Sequence, residues 1–273
     1  MFADSEMASL LERAEAAAMK TMVSALVRKT SGAFTLDLGR GVATYARADS
    51  PLNKVIGVGL DGALDPARLA EVEHAYRARA EAVRVEISTL AQPAAFEQLA
   101  ARGYRLLGFE NVLGRSLTSE LPTPSTDIAV GPARTVDDYR QTVIDGFTQP
   151  DATGVVLDQL THRVVADAID DSLADPGALY VASSQGRLAG AGSMRIHDEV
   201  AVFTGAATLP AYRRRGVQSA LIARRLLDAR DRGARLAIIT TAPGTQSTAN
   251  VMKHGFALLY ARAVLALQVV PTT

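Results

Sequence analysis

Hydrophobic and polar positions along the chain predict the same succession of elements twice. In the first half, Asp65 and Pro66 predict the start of a helix that extends to about residue 80, because Asp caps helix ends and Pro fits the first helical position. Residues 83–87 alternate between apolar and charged side chains, which predicts a strand. A helix over 93–102 is then expected to end at Gly103, since glycine readily adopts the backbone conformation that stops helices.

The second half predicts this order again, with a helix over 216–232, a strand over 235–240 and a helix over 245–254 that Gly255 closes. If Gly103 is laid on Gly255, the difference between the two numbers, 152, is a constant shift that also matches apolar positions along both halves without a gap. We interpret this match as two domains of the same fold.

Upstream of the repeated part, the second half adds further elements. They are a strand at 128–130, helices over 136–147 and 155–170, and three short strands at 179–182, 188–194 and 200–204. Tight turns join these strands, which predicts an antiparallel meander. The stretch 118–127 contains two prolines and is the expected linker, so that the first domain spans 1–120 and the second 127–273.

Composition excludes several classes of function. Lys plus Arg and Asp plus Glu both number 29 among 273 residues, so no net charge favours nucleic acid or anionic lipid. The chain has no cysteine and its four histidines are scattered, which gives a metal site little support. Charged residues interrupt the stretch 7–27, which predicts an amphipathic helix rather than a leader or a membrane span. We expect a cytoplasmic protein that binds no metal, nucleic acid or membrane.

The most informative segment is 204–221, which has the sequence TGAATLPAYRRRGVQSAL. It predicts a strand, then a basic turn, then a helix that begins at Gly216. Unpaired main-chain N–H groups at such a helix start form an anion site, and glycine lets the anion come close to the main chain. Arg213, Arg214 and Arg215 add positive charge where a diphosphate would lie.

Together with the amphipathic helix that follows, the next strand and a last helix that ends in His254, Gly255 and Phe256, this segment resembles the GNAT superfamily of N-acetyltransferases. The resemblance covers about 127–269. It implies an α/β fold, of the α+β type with a mixed sheet: two GNAT-like domains in tandem, each a mostly antiparallel mixed sheet flanked by helices. It also implies acetyl-CoA, or another acyl-CoA, as the cosubstrate.

The resemblance further implies a set of cofactor contacts. The main chain of the strand is expected to pair with the pantetheine arm, and the loop after it to hold the diphosphate. Gln218 stands where the family has a small residue, and Asn250 on the last helix is a further polar candidate. The implied cofactor-binding residues are Ala206, Ala207, Thr208, Arg213, Arg214, Arg215, Gly216, Val217, Gln218, Ser219 and Asn250.

The corresponding loop of the first half carries acidic residues instead. Under the shift, Arg213 falls on Asp61 and Gly216 on Leu64, and Asp65 follows directly. Carboxylates at this place would repel a diphosphate. We therefore expect the first domain to be a degenerate GNAT domain with a structural or substrate-shaping role.

A rival motif also occurs in the first half. Residues 57–62 fit the pattern Gly-x-Gly-x-x-Gly, which holds dinucleotides when a helix begins inside it. Here the helix is predicted to begin only at Pro66. We interpret the glycine spacing as accidental.

The resemblance leaves the proton-transfer groups open. Family members often carry a Tyr four residues before the glycine of the Gly-Phe pair, and Val251 occupies that position here. Tyr260 on the next strand is the candidate acid, with Tyr212 as an alternative. Glu199, at the turn before the cofactor strand, is the candidate base together with Asp198, and a water relay is a further alternative.

The function that follows is an N-acetyltransferase, which moves an acetyl group from acetyl-CoA to an amine of a small molecule or an exposed peptide. The alternative is an acyl-CoA-binding regulatory module without turnover, which the valine at 251 favours. No sequence feature identifies the acceptor. Both a monomer and a homodimer are compatible with the sequence.

Overall fold

The computed structural model describes residues 2–123, 127–149 and 161–268. These residues form two compact units. The first unit consists of residues 2–110 and of the described residues from 260 onward, and the second unit consists of the described residues between 111 and 259.

Helices and strands follow one another along most of the described chain. The helices are α1 (Ser5–Val27), α2 (Pro66–Arg77), α3 (Pro93–Ala101), α4 (Val136–Phe147), α5 (His162–Ser172), α6 (Val217–Asp231) and α7 (Gln246–Lys253). The strands are β1 (Phe34–Leu38), β2 (Gly41–Tyr45), β3 (Lys54–Ile56), β4 (Val83–Ser88), β5 (Arg105–Ser116), β6 (Ile128–Pro132), β7 (Ala178–Ser184), β8 (Arg187–His197), β9 (Val200–Thr208), β10 (Leu236–Thr241) and β11 (Ala257–Leu267). A short 3₁₀ helix, Pro210–Tyr212, separates β9 from α6.

The sheet of the first unit has the strand order β1-β2-β3-β4-β11. Its neighbours are antiparallel except for β3 and β4, which are parallel. Fully buried side chains such as Leu69, Tyr76 and Val85 belong to one apolar cluster of this unit. Burial of this apolar surface is the main force that holds α2 and α3 to the sheet.

The sheet of the second unit has the order β5-β10-β9-β8-β7-β6. Only the pair β9 and β10 is parallel. Two separate apolar clusters cover it: α6 contributes Leu221 and Leu226 to one, and α4 contributes Tyr139 and Val143 to the other. Both sheets are thus mixed, mostly antiparallel and flanked by helices, as the sequence predicts.

Each unit contains a strand that the other half of the sequence supplies. β11 follows α7, yet its residues Arg262–Leu267 pair with Ser88–Val83 of β4. β5 follows α3, yet its residues Asn111–Ser116 pair with Thr241–Leu236 of β10. The limits of the units therefore fall within β5 and β11, and not at the predicted linker over 118–127. Local sequence pattern cannot indicate this exchange, because it depends on which distant strand each one pairs with.

The locally encoded elements agree with the prediction. The side chain of Asp65 caps α2 by accepting hydrogen bonds from the N–H groups of Ala67 and Arg68, at 2.8 and 3.0 Å. Gly103 and Gly255 follow α3 and α7 with positive φ angles of 87° and 77°. Of the helix predicted over 155–170, residues 155–160 lie outside the described residues and the remainder is α5. The hairpin of β1 and β2 is not indicated by the sequence pattern.

A buried ionic network fixes β11 within the first unit. The guanidinium of Arg262 is fully buried and donates to Glu12 Oε1 at 2.8 Å and to Glu15 Oε2 at 2.7 Å. The hydroxyl of Tyr260 donates to the same Glu12 oxygen at 2.8 Å. Because both glutamates are on α1, the network ties the first helix to the last strand.

Two further carboxylates surround this network. Glu86 on β4 is paired with Lys54 on β3 at 2.6 Å and lies 3.8 Å from Arg262. Burial and, to a smaller extent, the charge of nearby Glu86 raise the pKa of Glu110 to about 7. Burial likewise raises the pKa of Glu12, against the attraction of Arg262.

No helix among the described residues is long and apolar enough to cross a membrane.

Replacing Arg262 with Met is expected to lower the free energy of unfolding by about 3–5 kcal/mol, because Glu12 would stay buried without its cation. Urea denaturation followed by circular dichroism measures the change. The matched control is Lys20→Met, which breaks the exposed pair Lys20–Asp37 and should cost less than about 1 kcal/mol. An Arg262→Met loss no larger than that of the control would contradict the role assigned to the network.

Glu110 is expected to make stability depend on pH. Its folded pKa of about 7 lies above the usual value of roughly 4.3, so the folded chain binds this proton more tightly than the unfolded chain. The stabilisation is therefore complete at acid pH and is lost as the pH rises through about 7. We expect the free energy of unfolding of the natural protein to decrease as the pH rises from about 4.3 to about 7. The decrease should be smaller in Glu110→Gln, which has no carboxyl group at this position. Glu97→Gln, at an exposed position, should keep the natural slope.

Candidate functional site

The site is built on the C-terminal end of β9, where the sheet of the second unit opens. The parallel ladder between β9 and β10 covers Val200–Phe203 and Leu236–Ile239. β9 then continues to Thr208 and β10 to Thr241, past the last paired residues. Main-chain groups of β9 beyond Phe203 therefore face the space between the two strand ends.

A β-bulge turns β9 at the same place. Ala191 of β8 faces Ala207, and Ser193 faces Thr204, so that β9 has one residue more than β8 between these pairs. Gly205 lies in the bulge with a φ of 55°, and a Cβ atom there would lie 2.1 Å from the hydroxyl of Tyr139. Tyr139 itself is buried and donates to the Gly205 carbonyl at 3.4 Å. Glycine is required here both by the backbone angle and by the close approach of α4.

The first turn of α6 adjoins this opening and has no side-chain cap. Gly216 is the N-cap residue, in the left-handed conformation with a φ of 80°. Arg214 also has a positive φ, of 60°, which is uncommon for a residue with a side chain. The N–H groups of Val217, Gln218 and Ser219 have no partner within the helix, because a helix leaves its first N–H groups without intrahelical acceptors. Such a turn is an anion-binding site.

α6 is itself anchored beneath β9. The guanidinium of Arg225 is fully buried, lies 4.6 Å from the ring centroid of Phe203 and donates to the Ser193 carbonyl at 3.1 Å. Burial lowers the pKa of Arg225 to about 10. Gly192 gives this side chain room, since a Cβ atom there would lie 3.1 Å from the guanidinium carbon.

The opening between β9, β10, α6 and α7 is a cleft of about 820 Å³. One wall is the strand end of β9 with the last residues of α4, and the opposite wall is hydroxyl-rich. The lining residues are Gly146, Phe147, Ala206, Ala207, Thr208, Tyr212, Arg213, Arg214, Gly216, Val217, Gln218, Ser219, Leu221, Thr240, Thr241, Ala242, Thr245, Gln246, Ser247, Asn250 and Lys253. Of the eleven residues that the sequence predicts for the cofactor, only Arg215 is missing from this lining.

The three arginines of the loop have different surroundings. Arg214 is exposed and lines the cleft. Arg215 is directed elsewhere, with its guanidinium 5.9 Å from the ring centroid of Tyr212. Arg213 donates to the carbonyl oxygens of Gly146 and Gln149 at the end of α4. Sequence analysis predicts the same role, phosphate binding, for all three arginines. In the structure, only Arg214 of the three is both exposed and part of the cleft lining.

Gln218 and Asn250 belong to one chain of amide groups. The side-chain amide nitrogen of Asn250 donates to Oε1 of Gln218, and its Oδ1 accepts a hydrogen bond from the Gln246 side chain at 2.9 Å. The large side chain that replaces the family's small residue is thereby bonded to α7. The main-chain N–H of residue 218 stays at the first turn of α6.

At the equivalent helix start in the first unit, a side chain of the protein already bonds the first N–H groups. Under the shift of 152 (255 minus 103), Gly216 and Val217 correspond to Leu64 and Asp65. The carboxylate of Asp65 accepts from two N–H groups of the first turn of α2, and Pro66 has no N–H. No free donors comparable to those of α6 are left for an anion among these first-turn residues.

The two catalytic candidates do not line the cleft. Tyr260 belongs to the first unit, where it is buried and bonded to Glu12. Glu199 precedes the opposite end of β9 and is paired with Arg235 at 3.4 Å. It lies seven residues before Ala206, which is about 23 Å along an extended strand. Val251 is fully buried in the apolar core beside Phe256. Among the described residues that line the cleft there is no Asp, Glu or His.

Several lining residues are not indicated by the sequence analysis. Gly146 and Phe147 end α4, and Thr240, Thr241 and Thr245 form the hydroxyl-rich wall. Of these residues, Gly146 could have been noticed in the sequence, because glycine is unusual inside a helix. A Cβ atom at this position would lie 2.5 Å from the Cβ atom of Ala207, so the close contact with β9 requires glycine. Thr240 and Thr241 carry no signal because β-branched residues are ordinary at strand ends, and Thr245 carries none because threonine is an ordinary N-cap residue.

Comparison with known proteins agrees with this geometry. Residues 147–256 match the model of the acetyltransferase (GNAT) family. The fold is similar to that of a GCN5-related N-acetyltransferase from Kribbella flavida, with a TM-score of 0.64, 16% identity, and 94% of this chain and 95% of that chain covered. It is also similar to that of a GCN5-related N-acetyltransferase from Sphaerobacter thermophilus, with a TM-score of 0.57, 15% identity, and 96% of this chain and 93% of that chain covered. A tandem GNAT protein from the clavulanic acid biosynthesis pathway has a similar fold as well, with a TM-score of 0.59, 13% identity, and 85% of this chain and 80% of that chain covered.

Among curated proteins, none matches the chain significantly in sequence. The family model and the similar folds nevertheless agree on one class, so the resemblance to GNAT proteins is confirmed. Residues 147–256 thus match the acetyltransferase (GNAT) family, and the fold of the chain is similar to that of a tandem GNAT protein.

Replacing Gly216 with Val is expected to weaken CoA binding at least about tenfold, because a branched side chain at the helix start would block the approach of a phosphate. The left-handed backbone angle adds a stability cost of roughly 1–2 kcal/mol, which leaves the protein folded. Isothermal titration calorimetry with CoA measures the affinity.

The matched control is Asp65→Ala, which removes the cap of the equivalent helix and should cost about 1 kcal/mol of stability with no change in CoA affinity. If the Gly216 variant binds CoA as tightly as the natural protein, or if the Asp65 variant loses affinity, the site is wrongly placed.

Proposed function

We propose that the protein is an N-acetyltransferase that transfers the acetyl group of acetyl-CoA to an amine. The observation that carries the proposal is the uncapped first turn of α6 at the end of a cleft into which the unpaired part of β9 faces. An acetyltransferase domain of the GNAT family over the same residues supports acyl transfer.

The residues of the cleft fit the parts of acetyl-CoA. A diphosphate suits the N–H groups of residues 217–219 and the charge of Arg214, since main-chain donors and guanidinium groups both favour phosphate. The amides of a pantetheine arm suit the unpaired main chain of β9 over 206–208, in the manner of an added strand. Lys253, which lines the cleft at the end of α7, can neutralise a further phosphate.

The chain's own contribution to the reaction is electrostatic and positional. In the proposed transfer, a neutral amine attacks the thioester carbonyl, its carbonyl oxygen gains negative charge, the carbon–sulfur bond breaks, and the departing thiolate takes up the proton that the amine loses. Main-chain N–H groups at the bulge, near Ala206 and Ala207, are the donors available to the carbonyl oxygen.

No described carboxylate or histidine lines the cleft, so we propose that the amine is bound in its neutral form. Arg214 and Lys253 favour this, because nearby positive charges lower the pKa of an ammonium group. The proton then reaches the thiolate directly or through water. The proposed acceptor is an amine of a small molecule or of an exposed peptide.

A second candidate function is acyl-CoA binding without turnover, as in a regulatory module. It is favoured by Val251, which is buried in the core at a position where members of the GNAT family often have a tyrosine, and by the absence of Tyr260 from the cleft lining. Both functions require the same binding site. They differ only in whether an amine triggers release of the thiol.

Thiol release from acetyl-CoA in the presence of a panel of amines tests the proposal. We expect release to depend on one class of amine and to fall at least about tenfold in Gly216→Val, because that variant cannot hold the diphosphate. The panel should include small primary amines, amino sugars, polyamines and peptides with a free N-terminus. Binding of acetyl-CoA by calorimetry without amine-dependent release would favour the regulatory module.

A further inference from the structure

The side chain of Gln218 is held in one orientation by amide groups of α7. Oε1 of Gln218 accepts a hydrogen bond from Nδ2 of Asn250, whose Oδ1 accepts one from Nε2 of Gln246 at 2.9 Å. An amide has one atom that accepts and one that donates, so the three side chains form a chain of hydrogen bonds with a single direction. This chain of amide groups begins at Gln246 and ends at Gln218.

The amide nitrogen of Gln218 is left over at the end of this chain. Nε2 carries two N–H donors, and in the described part of the chain neither of them has an acceptor. The side chain is half-buried and belongs to the lining of the cleft. Its Oε1 is thus used within the protein, whereas its Nε2 remains for a ligand in the cleft.

Gln218 is the second residue of α6, in the turn whose main-chain N–H groups form the anion site. Side chains of a helix point back toward its N-terminus, so the amide of Gln218 extends to the same side as these N–H groups. The first turn has no acidic residue and no side-chain cap, and the neighbouring Val217 and Ser219 line the same cleft. The side chain of Gln218 therefore lies beside an anion that is bound at this turn.

We propose that Gln218 is an additional donor to the diphosphate of the cosubstrate, and that Asn250 is a positioning residue which holds Gln218 in the donating orientation. This proposal rests on the proposed function. The small residue that is typical of the GNAT family at this place has no such donor. The large side chain is thus a further ligand of the diphosphate and does not obstruct its site.

The charge of the ligand favours the observed direction of the chain of amide groups. With Oε1 bonded to Asn250, Gln218 presents N–H groups to the cleft, and hydrogen bonds to a charged acceptor are stronger than those between neutral groups. The reverse direction would present an oxygen atom to the phosphate, which repels it. Both polar atoms of Asn250 are engaged by Gln218 and Gln246, so Asn250 acts on the ligand through Gln218.

Calorimetry with CoA and with 3′-dephospho-CoA tests the proposal, because both compounds contain the diphosphate. Gln218→Ala should weaken both by the same factor of about ten, since a hydrogen bond to a charged group is lost. Alanine is the best helix former, so this variant is expected to fold. Gln218→Glu keeps an oxygen for the bond from Asn250 but presents a second carboxylate oxygen to the phosphate, and it should weaken both compounds more than the alanine variant does.

The matched control is Gln141→Ala. Gln141 is an exposed glutamine on α4 that donates to Asp145 and does not belong to the cleft lining. The same chemical change at this position should leave both affinities within about twofold of the natural values, because surface substitutions away from a site have little effect.

A double-mutant cycle tests the positioning role of Asn250. Asn250→Ala should weaken CoA about threefold, because it frees the side chain of Gln218 but leaves the donor in place. Combined with Gln218→Ala it should cause no further loss, since its effect passes through Gln218. A purely structural role for Asn250 would instead make the two losses multiply, which would overturn the positioning role.

The outcomes distinguish this proposal from the proposed function. If the natural protein binds neither compound, the proposed function fails and the proposal with it. If the natural protein binds CoA and Gln218→Ala binds it equally well or more tightly, the side chain is not a donor, and the proposal is overturned while the proposed function stands. A loss with CoA but not with 3′-dephospho-CoA would assign Gln218 to the 3′-phosphate and overturns the proposal as well.

Discussion

Main-chain N–H groups without a side-chain cap at the first turn of α6 are the feature around which the cleft is built. Gly216 supplies no cap, and its left-handed backbone directs the chain so that residues 217–219 line a cleft. A helix start without a cap costs stability unless water or a ligand satisfies its donors. The bulge at Gly205 and the early end of the β9–β10 ladder have the same consequence on the strand side, because both turn main-chain groups away from the sheet. The donors of the site belong mainly to the backbone, so the large side chain of Gln218 leaves its own N–H group in place.

The two halves of the chain show what small changes do to one pattern. α2 and α6 occupy equivalent places, yet Asp65 and Pro66 close the first turn of α2, whereas the first turn of α6 stays open. The first unit instead contains the buried ionic network of Glu12, Glu15 and Arg262, in which the cation comes from the C-terminal strand. Breaking one partner of such a network is costly, so the first unit depends on β11, which follows the second unit along the chain.

Much of the fold could be predicted from sequence, because it is encoded locally. Asp65, Gly103 and Gly255 mark helix ends by their own chemistry. The basic loop before Gly216 is a weak signal by itself, and it predicts a diphosphate site only together with the strand and the helices around it. Pairing between distant strands has no local signature, so the exchange of β5 and β11 could not be predicted, and sequence reasoning consequently assigns Tyr260 to a cleft whose lining does not include it. Arg213 shows the same limit on a smaller scale: its charge is evident in the sequence, but the carbonyl groups that it contacts are 64 and 67 positions away.

Amide hydrogen exchange measured with and without CoA reports on the N–H groups of the proposed binding site themselves. We expect slower exchange in peptides that cover residues 214–219 and 206–208 when CoA is bound, with no change at the equivalent helix start around Asp65. Slower exchange confined to other parts of the chain, or none in 214–219 at saturating CoA, would contradict this placement of the site.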